Sequence, residues 1–230
     1  MIFRTGFLGK MIVLLGLATQ TFLLAGEPDA STILEAARLN PMGRPVALDA
    51  RLRVGRETTP FRIVVDGSVR YEFDNPSHVL ELALAKEGSN LTEQKGGKTS
   101  PVRPARFDER VRNSDISYED LSLAFLYWPH PKIIGEEIVN TRRCWKIEMQ
   151  APRKESQYGV ARVWIDQSGG ALLRMEGFDK SGRLVRRFSV TSAQQIDGQW
   201  MLRQMRIESI NPETRKTLSR SYLEVTGKAE

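Results

Sequence analysis

The second half of the chain is a succession of short alternating segments with no helical pattern between them. Turn-forming pairs such as Asp197-Gly198 and Asn211-Pro212 separate these segments. Parallel strands would need long crossover connections, usually helices, so this spacing excludes a doubly wound α/β sheet. It predicts a mostly β domain, an antiparallel meander that curls into a barrel or half-barrel. The segments that fit strands are 133–139, 144–150, 160–166, 172–178, 184–193, 199–210 and 218–226.

Two short helices are predicted beside these strands. The first covers residues 31–40, where apolar residues recur at helical spacing behind a capping Ser31 or Asp29. The second covers residues 117–128 and ends at a proline. Its apolar face carries Leu121, Phe125 and Trp128. Such a helix is either a lid over the curled sheet or an ordinary packing helix, and both remain open from the pattern.

One face of many predicted strands carries large apolar side chains. Asp66-Gly67 between two alternating runs is a strong hairpin signal and places the first of these strands side by side. A curled sheet with such an inner wall either fills its interior with its own side chains or encloses an apolar cavity. The residues predicted to form the wall are Phe61, Ile63, Val65, Tyr71, Phe73, Leu82, Leu84, Trp145, Ile147, Met149, Met175, Phe188 and Met205.

The middle of the sequence is less regular and more basic. Residues 86–99 are rich in Gly, Lys, Asn, Gln and Ser, which predicts strand tips and loops. Two prolines within residues 101–112 disfavour a central strand there. The arginines are either an anionic-ligand patch or a solvated surface offset by neighbouring acids. They are Arg103, Arg106, Arg110, Arg112, Arg186 and Arg187.

The residue types needed for common catalytic and metal sites are scarce. The 230 residues include one cysteine, Cys144, and two histidines, His78 and His130, which excludes a disulfide framework and multiple-cysteine zinc sites. Neither histidine lies in a metal-binding spacing, and no nucleophile elbow occurs. The adjacent acids Glu119-Asp120 are the main support for an enzyme. We therefore predict no catalytic residue, no metal, no cofactor and no enzymatic activity.

The N-terminus has the pattern of a secretory signal. Arg4 and Lys10 precede an uncharged apolar run that ends with the small residues Ala25 and Gly26. Residues 1–26 are predicted to be removed, which leaves one domain over residues 27–230. No cysteine follows the run, so the mature protein is not expected to carry lipid itself. An exported protein is also a poor candidate for binding nucleic acid.

A series of motifs in the C-terminal two thirds resembles a known family. The series runs from 115-DISYEDLS-122 through 143-RCWKIEMQAP-152 and 158-YGVARVWID-166 to 173-LRMEGFD-179. It continues with Ser181-Gly182, Trp200 and the segment 205–218. In this order and spacing the chain resembles the outer-membrane lipoprotein-sorting proteins, a branch of the LolA-like periplasmic lipoprotein carriers.

The resemblance implies a strongly curved, incomplete antiparallel β-barrel whose short helices form a lid over an apolar cavity. It implies a periplasmic carrier or chaperone that binds acyl chains of lipoproteins or lipids and takes part in outer-membrane lipoprotein sorting. Membrane-bound donor and acceptor proteins and a monomeric state are expected with it. An arginine that gates the cargo cannot be placed by motif; Arg62 and Arg70 are candidates only by position. The alternative function is a non-carrying envelope interaction or stress-sensing protein on the same fold.

Overall fold

The first and last strands of the chain lie side by side in the middle of the sheet, and the other strands extend from them to its two edges. The computed structural model describes residues 28–39, 45–152 and 156–229, and the predicted signal segment 1–26 lies outside them. Within this described part, thirteen strands form one antiparallel sheet in the order β6-β5-β4-β3-β2-β1-β13-β12-β11-β10-β9-β8-β7. The strands are β1 (Val46–Val54), β2 (Glu57–Val65), β3 (Val69–Phe73), β4 (His78–Leu84), β5 (Ser89–Lys95), β6 (Lys98–Pro101), β7 (Lys132–Val139), β8 (Arg142–Gln150), β9 (Val160–Asp166), β10 (Leu172–Phe178), β11 (Leu184–Ile196), β12 (Gln199–Ile210) and β13 (Thr217–Lys228).

The sheet is curved but not closed, as predicted for an incomplete barrel. Its first strand pairs with its last, since Leu52 of β1 lies opposite Leu223 of β13. Register shifts interrupt six of the strand pairs, for example between Val190 and Ser192 of β11. Such bulges bend and twist a strand, and they are a common source of sheet curvature.

The connection from β6 to β7 joins the two opposite edges of this sheet. We call residues 102–128 of this connection the crossing segment. It contains a 3₁₀ turn (Pro104–Arg106), helix α2 (Tyr118–Ser122) and a second 3₁₀ turn (Ala124–Tyr127). Together with helix α1 (Ala30–Leu39) it covers one face of the sheet, which we call the inner face.

Two hydrophobic clusters fill the space between the sheet and its covering elements. The first combines apolar side chains of β1–β5, β12 and β13 with Val102, Val111, Ile116 and Tyr118. The second joins α1 and the end of the crossing segment to β8, β9 and β10. Leu123 and Phe188 contact both clusters, so the two form one continuous core.

The opposite, outer face is a lattice of arginine–carboxylate pairs. Alternate residues of a strand point to opposite faces, so the inward apolar positions leave charged positions outward. Glu208 lies between Arg206 and Arg220, and Glu224 accepts a hydrogen bond from Arg51 at 2.6 Å. No helix in the described ranges reaches the length and apolarity that a membrane crossing requires.

The structure departs from the predicted elements mainly in the N-terminal half. Strand β1 was not predicted, although Leu48, Ala50 and Leu52 alternate inward along it. Residues 86–99 contain β5 rather than loops alone, because pairing of Leu91 with Leu82 of β4 supplies the apolar contact that the polar sequence lacks. The predicted helix 117–128 is broken at Leu123, whose φ of 51° is left-handed.

Candidate functional site

A buried polar cluster binds the crossing segment to the middle of the sheet. Asp115 accepts hydrogen bonds from the hydroxyls of Ser209 at 2.5 Å and Ser221 at 2.8 Å, and from that of Ser219. Its own backbone N–H donates to the Ser221 hydroxyl at 2.8 Å. Burial alone would raise the pKa of Asp115, but the three hydroxyl donors outweigh burial and lower it. Asp115 is therefore held as a buried carboxylate.

Arg186 supplies the positive charge of this cluster. Its side chain is 6% exposed, and its Nη1 donates to the Ser209 hydroxyl at 2.7 Å and to the Asp115 carbonyl at 2.5 Å. Its Nε lies 3.8 Å from a carboxylate oxygen of Asp120. The Tyr158 hydroxyl donates to the other oxygen of Asp120 at 2.5 Å. One buried guanidinium therefore faces two carboxylates of the crossing segment.

Helix α2 presents a second buried carboxylate on its other side. The Ser117 hydroxyl and the Asp120 carboxylate form a capping box that fixes the start of the helix. Glu119, 1% exposed, accepts hydrogen bonds from the Ser156 hydroxyl at 2.5 Å and the Gln157 backbone N–H at 2.9 Å. Burial raises the pKa of Glu119. Glu119 thus links the crossing segment to the loop between β8 and β9.

A third polar contact anchors the start of the crossing segment to β4 and β5. Glu93 lies 2.9 Å from His78 Nε2 and accepts hydrogen bonds from Tyr118 at 2.5 Å and Arg106 at 2.6 Å. Burial alone would raise the pKa of Glu93, but the Arg106 and Tyr118 hydrogen bonds hold it at about 2. Burial also lowers the pKa of His78, more than neighbouring Glu93 raises it. The crossing segment is therefore tied to the sheet by polar contacts at both of its halves.

A cavity of about 240 Å³ lies between the crossing segment, the β4–β5 turn and the loop between β8 and β9. Among its lining residues, Phe107 packs on the first hydrophobic cluster and Trp128 belongs to the second. The Tyr127 hydroxyl donates to the Ala85 carbonyl at 3.0 Å and holds the segment to the β4–β5 turn. The lining residues are Glu87, Gly88, Ser89, Pro104, Phe107, Glu119, Ala124, Tyr127, Trp128, Pro152 and Ser156.

The structure distributes the predicted wall residues over the two clusters. The first cluster contains or contacts Phe61, Ile63, Val65, Tyr71, Phe73, Leu82, Leu84 and Met205, and the second Trp145, Ile147, Met149 and Met175, while Phe188 contacts both. Among the predicted lid residues, Leu121 packs on the first cluster, Phe125 lies in the second, and Trp128 alone lines the cavity. Contact of the wall residues with a ligand stays a prediction.

The arginine at the centre of the inner face was not among the positional candidates. Arg62 alternates with inward Phe61 and Ile63 and lies 3.8 Å from Asp49, and Arg70 donates to Glu72 at 3.1 Å. Both arginines belong to the outer lattice. Arg186 and the inward-facing Phe188 are alternate residues of β11, so their side chains point to the same face. This alternation is the sequence signal that could have identified Arg186. The described residues contain no group of three or more His, Cys, Asp or Glu side chains able to hold a metal ion.

Comparison with solved structures shows a LolA-like fold. A domain from Vibrio parahaemolyticus described as an outer membrane lipoprotein-sorting protein superposes with a TM-score of 0.69 at 16% identity, covering 87% of this chain and 93% of that one. A DUF1329 family protein from Desulfovibrio piger gives 0.66 at 19% identity, covering 85% and 89%. A LolA superfamily protein from Nitrosomonas europaea gives 0.61 at 16% identity, covering 87% and 93%.

The chain therefore has a LolA-like fold with a covered inner face. A family model with the description "-like: Uncharacterized protein" matches residues 96–226, which is more than half of the chain. The chain therefore belongs to that family. A search of curated proteins finds no match.

Proposed function

We propose that this protein is a non-enzymatic periplasmic carrier that shelters acyl chains of lipoproteins or lipids and takes part in outer-membrane lipoprotein sorting. In this proposal residues 1–26 are a cleaved signal, and residues 27–230 are the mature monomer. The mature protein receives cargo from a membrane-bound donor and passes it to a membrane-bound acceptor. It binds no nucleic acid. The observation that carries the proposal is an apolar inner face covered by helix α1 and by the crossing segment, which buried polar contacts of Asp115 and Glu119 also hold in place.

The size of the cavity supports a closed, cargo-free arrangement. Ligand pockets commonly measure about 300–1,000 Å³, and the cavity here measures about 240 Å³. An acyl chain therefore needs the crossing segment to move away from the sheet. The apolar clusters would then contact the cargo, and each buried methylene would contribute about 0.8 kcal/mol.

The way the crossing segment is held sets the free-energy cost of such a movement. A hydrogen bond to a charged group that is exchanged for one with water changes the free energy by about 1.5–3 kcal/mol. Asp115, Glu119 and Asp120 form contacts of this kind. The engagement of Glu119 and Asp120 in these contacts also supports a structural role for the acid pair over a catalytic one.

Acyl binding by the mature protein tests the proposal. Purified protein comprising residues 27–230 is expected to retain fatty acid or lipopeptide mass in native mass spectrometry and to bind a fluorescent fatty acid. Asp115→Asn weakens the serine contacts, so it should speed uptake of the probe several-fold. Asp108→Asn is the matched control, because Asp108 lies exposed on the same segment. Absence of retained lipid together with absence of probe binding would contradict the carrier function.

A second candidate function is supported by large apolar side chains on the surface. Trp200 is 73% exposed at the β11–β12 hairpin, and Ile138 and Leu218 are also exposed. Aromatic residues such as Trp200 are enriched at protein–protein interfaces, which suits a non-carrying envelope interaction protein. Pull-down from envelope extracts with Trp200→Ser as the comparison separates the two candidates, because this change leaves the inner face intact.

A further inference from the structure

One of the two histidines of the chain is buried on the inner face. His78 of β4 alternates with solvent-facing residues, points to the same side as Leu80 and Leu82, and is 5% exposed. Its ring stacks on Phe73 of β3, with the ring centroids 5.9 Å apart. The other histidine, His130, is exposed. Histidine is the side chain that changes charge between about pH 5 and 8 at its ordinary pKa. A buried histidine therefore makes this part of the inner face sensitive to protons.

The carboxylate that faces His78 also holds the crossing segment. Oε1 of Glu93 lies 2.9 Å from Nε2 of His78 and accepts the hydrogen bond from the Tyr118 hydroxyl. Oε2 of Glu93 accepts the hydrogen bond from Arg106. Because an ionised carboxylate can only accept, Nε2 of the neutral imidazole donates to it. His78 and the crossing segment thus share one carboxylate.

The cations around His78 disfavour its protonation while the crossing segment lies on the sheet. Arg112 of this segment lies 4.7 Å from the centroid of the Phe73 ring, on which His78 also stacks. Its guanidinium donates hydrogen bonds to two backbone carbonyls of the β3–β4 turn. Burial lowers the pKa of His78, and the charges of Arg112 and Lys95 add to this effect. Glu93 raises this pKa but does not outweigh them.

We propose that His78 makes the attachment of residues 102–112, the start of the crossing segment, sensitive to pH. Protonation of His78 places a second positive charge beside Arg112. Movement of residues 102–112 away from the sheet removes that arginine and admits water to the imidazole. Acid therefore favours the detached state. By linkage, the ratio of detached to attached molecules rises as the pH falls below about 6.5, by up to about tenfold for each unit by which attachment lowers the pKa of His78.

The rest of the crossing segment does not share this response. Burial raises the pKa of Glu119, so uptake of a proton stabilises its contacts with Ser156 and Gln157. Asp115 and Glu93 have lowered pKa values and keep their charge over this range. Acid is therefore expected to release residues 102–112 while Asp115 and Glu119 stay attached. This regulation goes beyond acyl carriage, because it requires no ligand.

Titration of the histidines by NMR tests the state of His78. The mature protein contains two histidines, so spectra of His130→Gln assign the signals of His78. We expect His78 to titrate below the ordinary value of about 6.5. Lys95→Gln, at an exposed residue of β5, should raise the pKa of His78 because it removes one of the nearby cations. A pKa of His78 at or above about 6.5 would overturn the proposal.

Hydrogen–deuterium exchange of residues 102–112 tests the release itself. From about pH 7.5 to about pH 5.5 the protection factor, corrected for intrinsic exchange, is expected to fall about fivefold. His78→Gln should abolish this fall, since glutamine donates to Glu93 without titrating, and the matched control His130→Gln should keep it. Equal responses of the wild-type protein and His78→Gln would contradict the assignment.

Lys95→Gln keeps the exchange experiment decisive if His78→Gln does not fold. A higher pKa of His78 in the attached state shrinks the response, so the fall in protection should be smaller in Lys95→Gln than in the wild-type protein. An unchanged fall would count against His78. Neither measurement uses a lipid, so failure of this pH response and failure of acyl carriage give different results.

Discussion

At the scale of single residues, one missing side chain makes room for the most deeply buried tyrosine of the core. A Cβ atom added to Gly177 of β10 would lie 2.4 Å from the ring of Tyr158. Tyr158 is fully buried, and its hydroxyl donates to Asp120 at 2.5 Å. The ring therefore cannot shift without disturbing the cluster that holds the crossing segment.

We expect Gly177→Ala to lower the free energy of unfolding by about 1–3 kcal/mol, the usual cost of overpacking a core. Gly227→Ala is the matched control, because a Cβ atom at Gly227 meets nothing within 4 Å. Its effect should stay within about 0.5 kcal/mol. Urea denaturation of both variants measures the difference, and equal stabilities would show that the Tyr158 ring adapts freely.

Two consecutive arginines of β11 give a second prediction. Arg186 is buried on the inner face beside Asp115 and Asp120, whereas the side chain of Arg187 is 34% exposed on the outer lattice. Arg186→Leu leaves buried carboxylates without their cation and should cost about 3–5 kcal/mol. Arg187→Leu should cost less than about 1 kcal/mol. Thermal and urea unfolding of the pair check this order, and a reversed order would refute the structural role of Arg186.

The same pair shows what a sequence can and cannot predict at this scale. Alternation along β11 assigns Arg186 to the side of Phe188, so its inward position follows from the sequence pattern. Its partners do not follow, because Asp115 lies 71 residues away along the chain. Cys144, the single cysteine of the sequence, is buried and packs with Val139 and Trp164, a contact that the local sequence pattern does not reveal.

At the scale of elements, β5 is a polar strand that depends on its neighbours. Leu91 and Glu93 are its buried side chains, and Glu93 faces inward with its charge satisfied by Arg106 and Tyr118. The segment has little strand propensity of its own, so the sequence predicted loops there. In the C-terminal half the strands carry alternating apolar residues, and their predicted positions agree closely with β7–β13.

The hydrogen bonds that Glu93 accepts from Arg106 and Tyr118 predict a specific pH dependence. Its folded pKa of about 2 lies below the ordinary value of 4.5. The stabilisation is therefore fully present above about pH 4.5 and is lost as the pH falls through 4.5 toward 2. Glu93→Gln should flatten the acid limb of the stability curve over this range. Glu57→Gln, at an exposed acid of β2, should leave the curve unchanged, and a similar flattening in both variants would contradict the assignment.

At the scale of the whole molecule, the two halves of the sheet share both a strand pair and core residues. β1 joins β13 in the middle of the sheet, and Leu123 and Phe188 contact both hydrophobic clusters. We expect a single cooperative unfolding transition in urea, with coincident midpoints from tryptophan fluorescence and far-UV circular dichroism. Two separated midpoints would show that the halves fold independently.

The fold class could be predicted from the sequence, but the path of the segment that covers the inner face could not. Turn signals and alternation predict the antiparallel meander, but the pairing of β1 with β13 in the middle of the sheet depends on a first strand that the pattern missed. The path of residues 102–128 across the inner face depends on buried acids, which appear in the sequence only as ordinary polar residues. Burial of charge is a tertiary property, and a local pattern does not reveal it.

The route of the chain from β6 to β7 has a mechanical consequence. The crossing segment connects β6 to β7, the two edge strands, so it spans the inner face from one edge of the sheet to the other. Movement of this segment away from the sheet, which the proposed carrier function requires, would therefore pull first on the two edge strands. The middle of the sheet, where β1 pairs with β13, would stay in place.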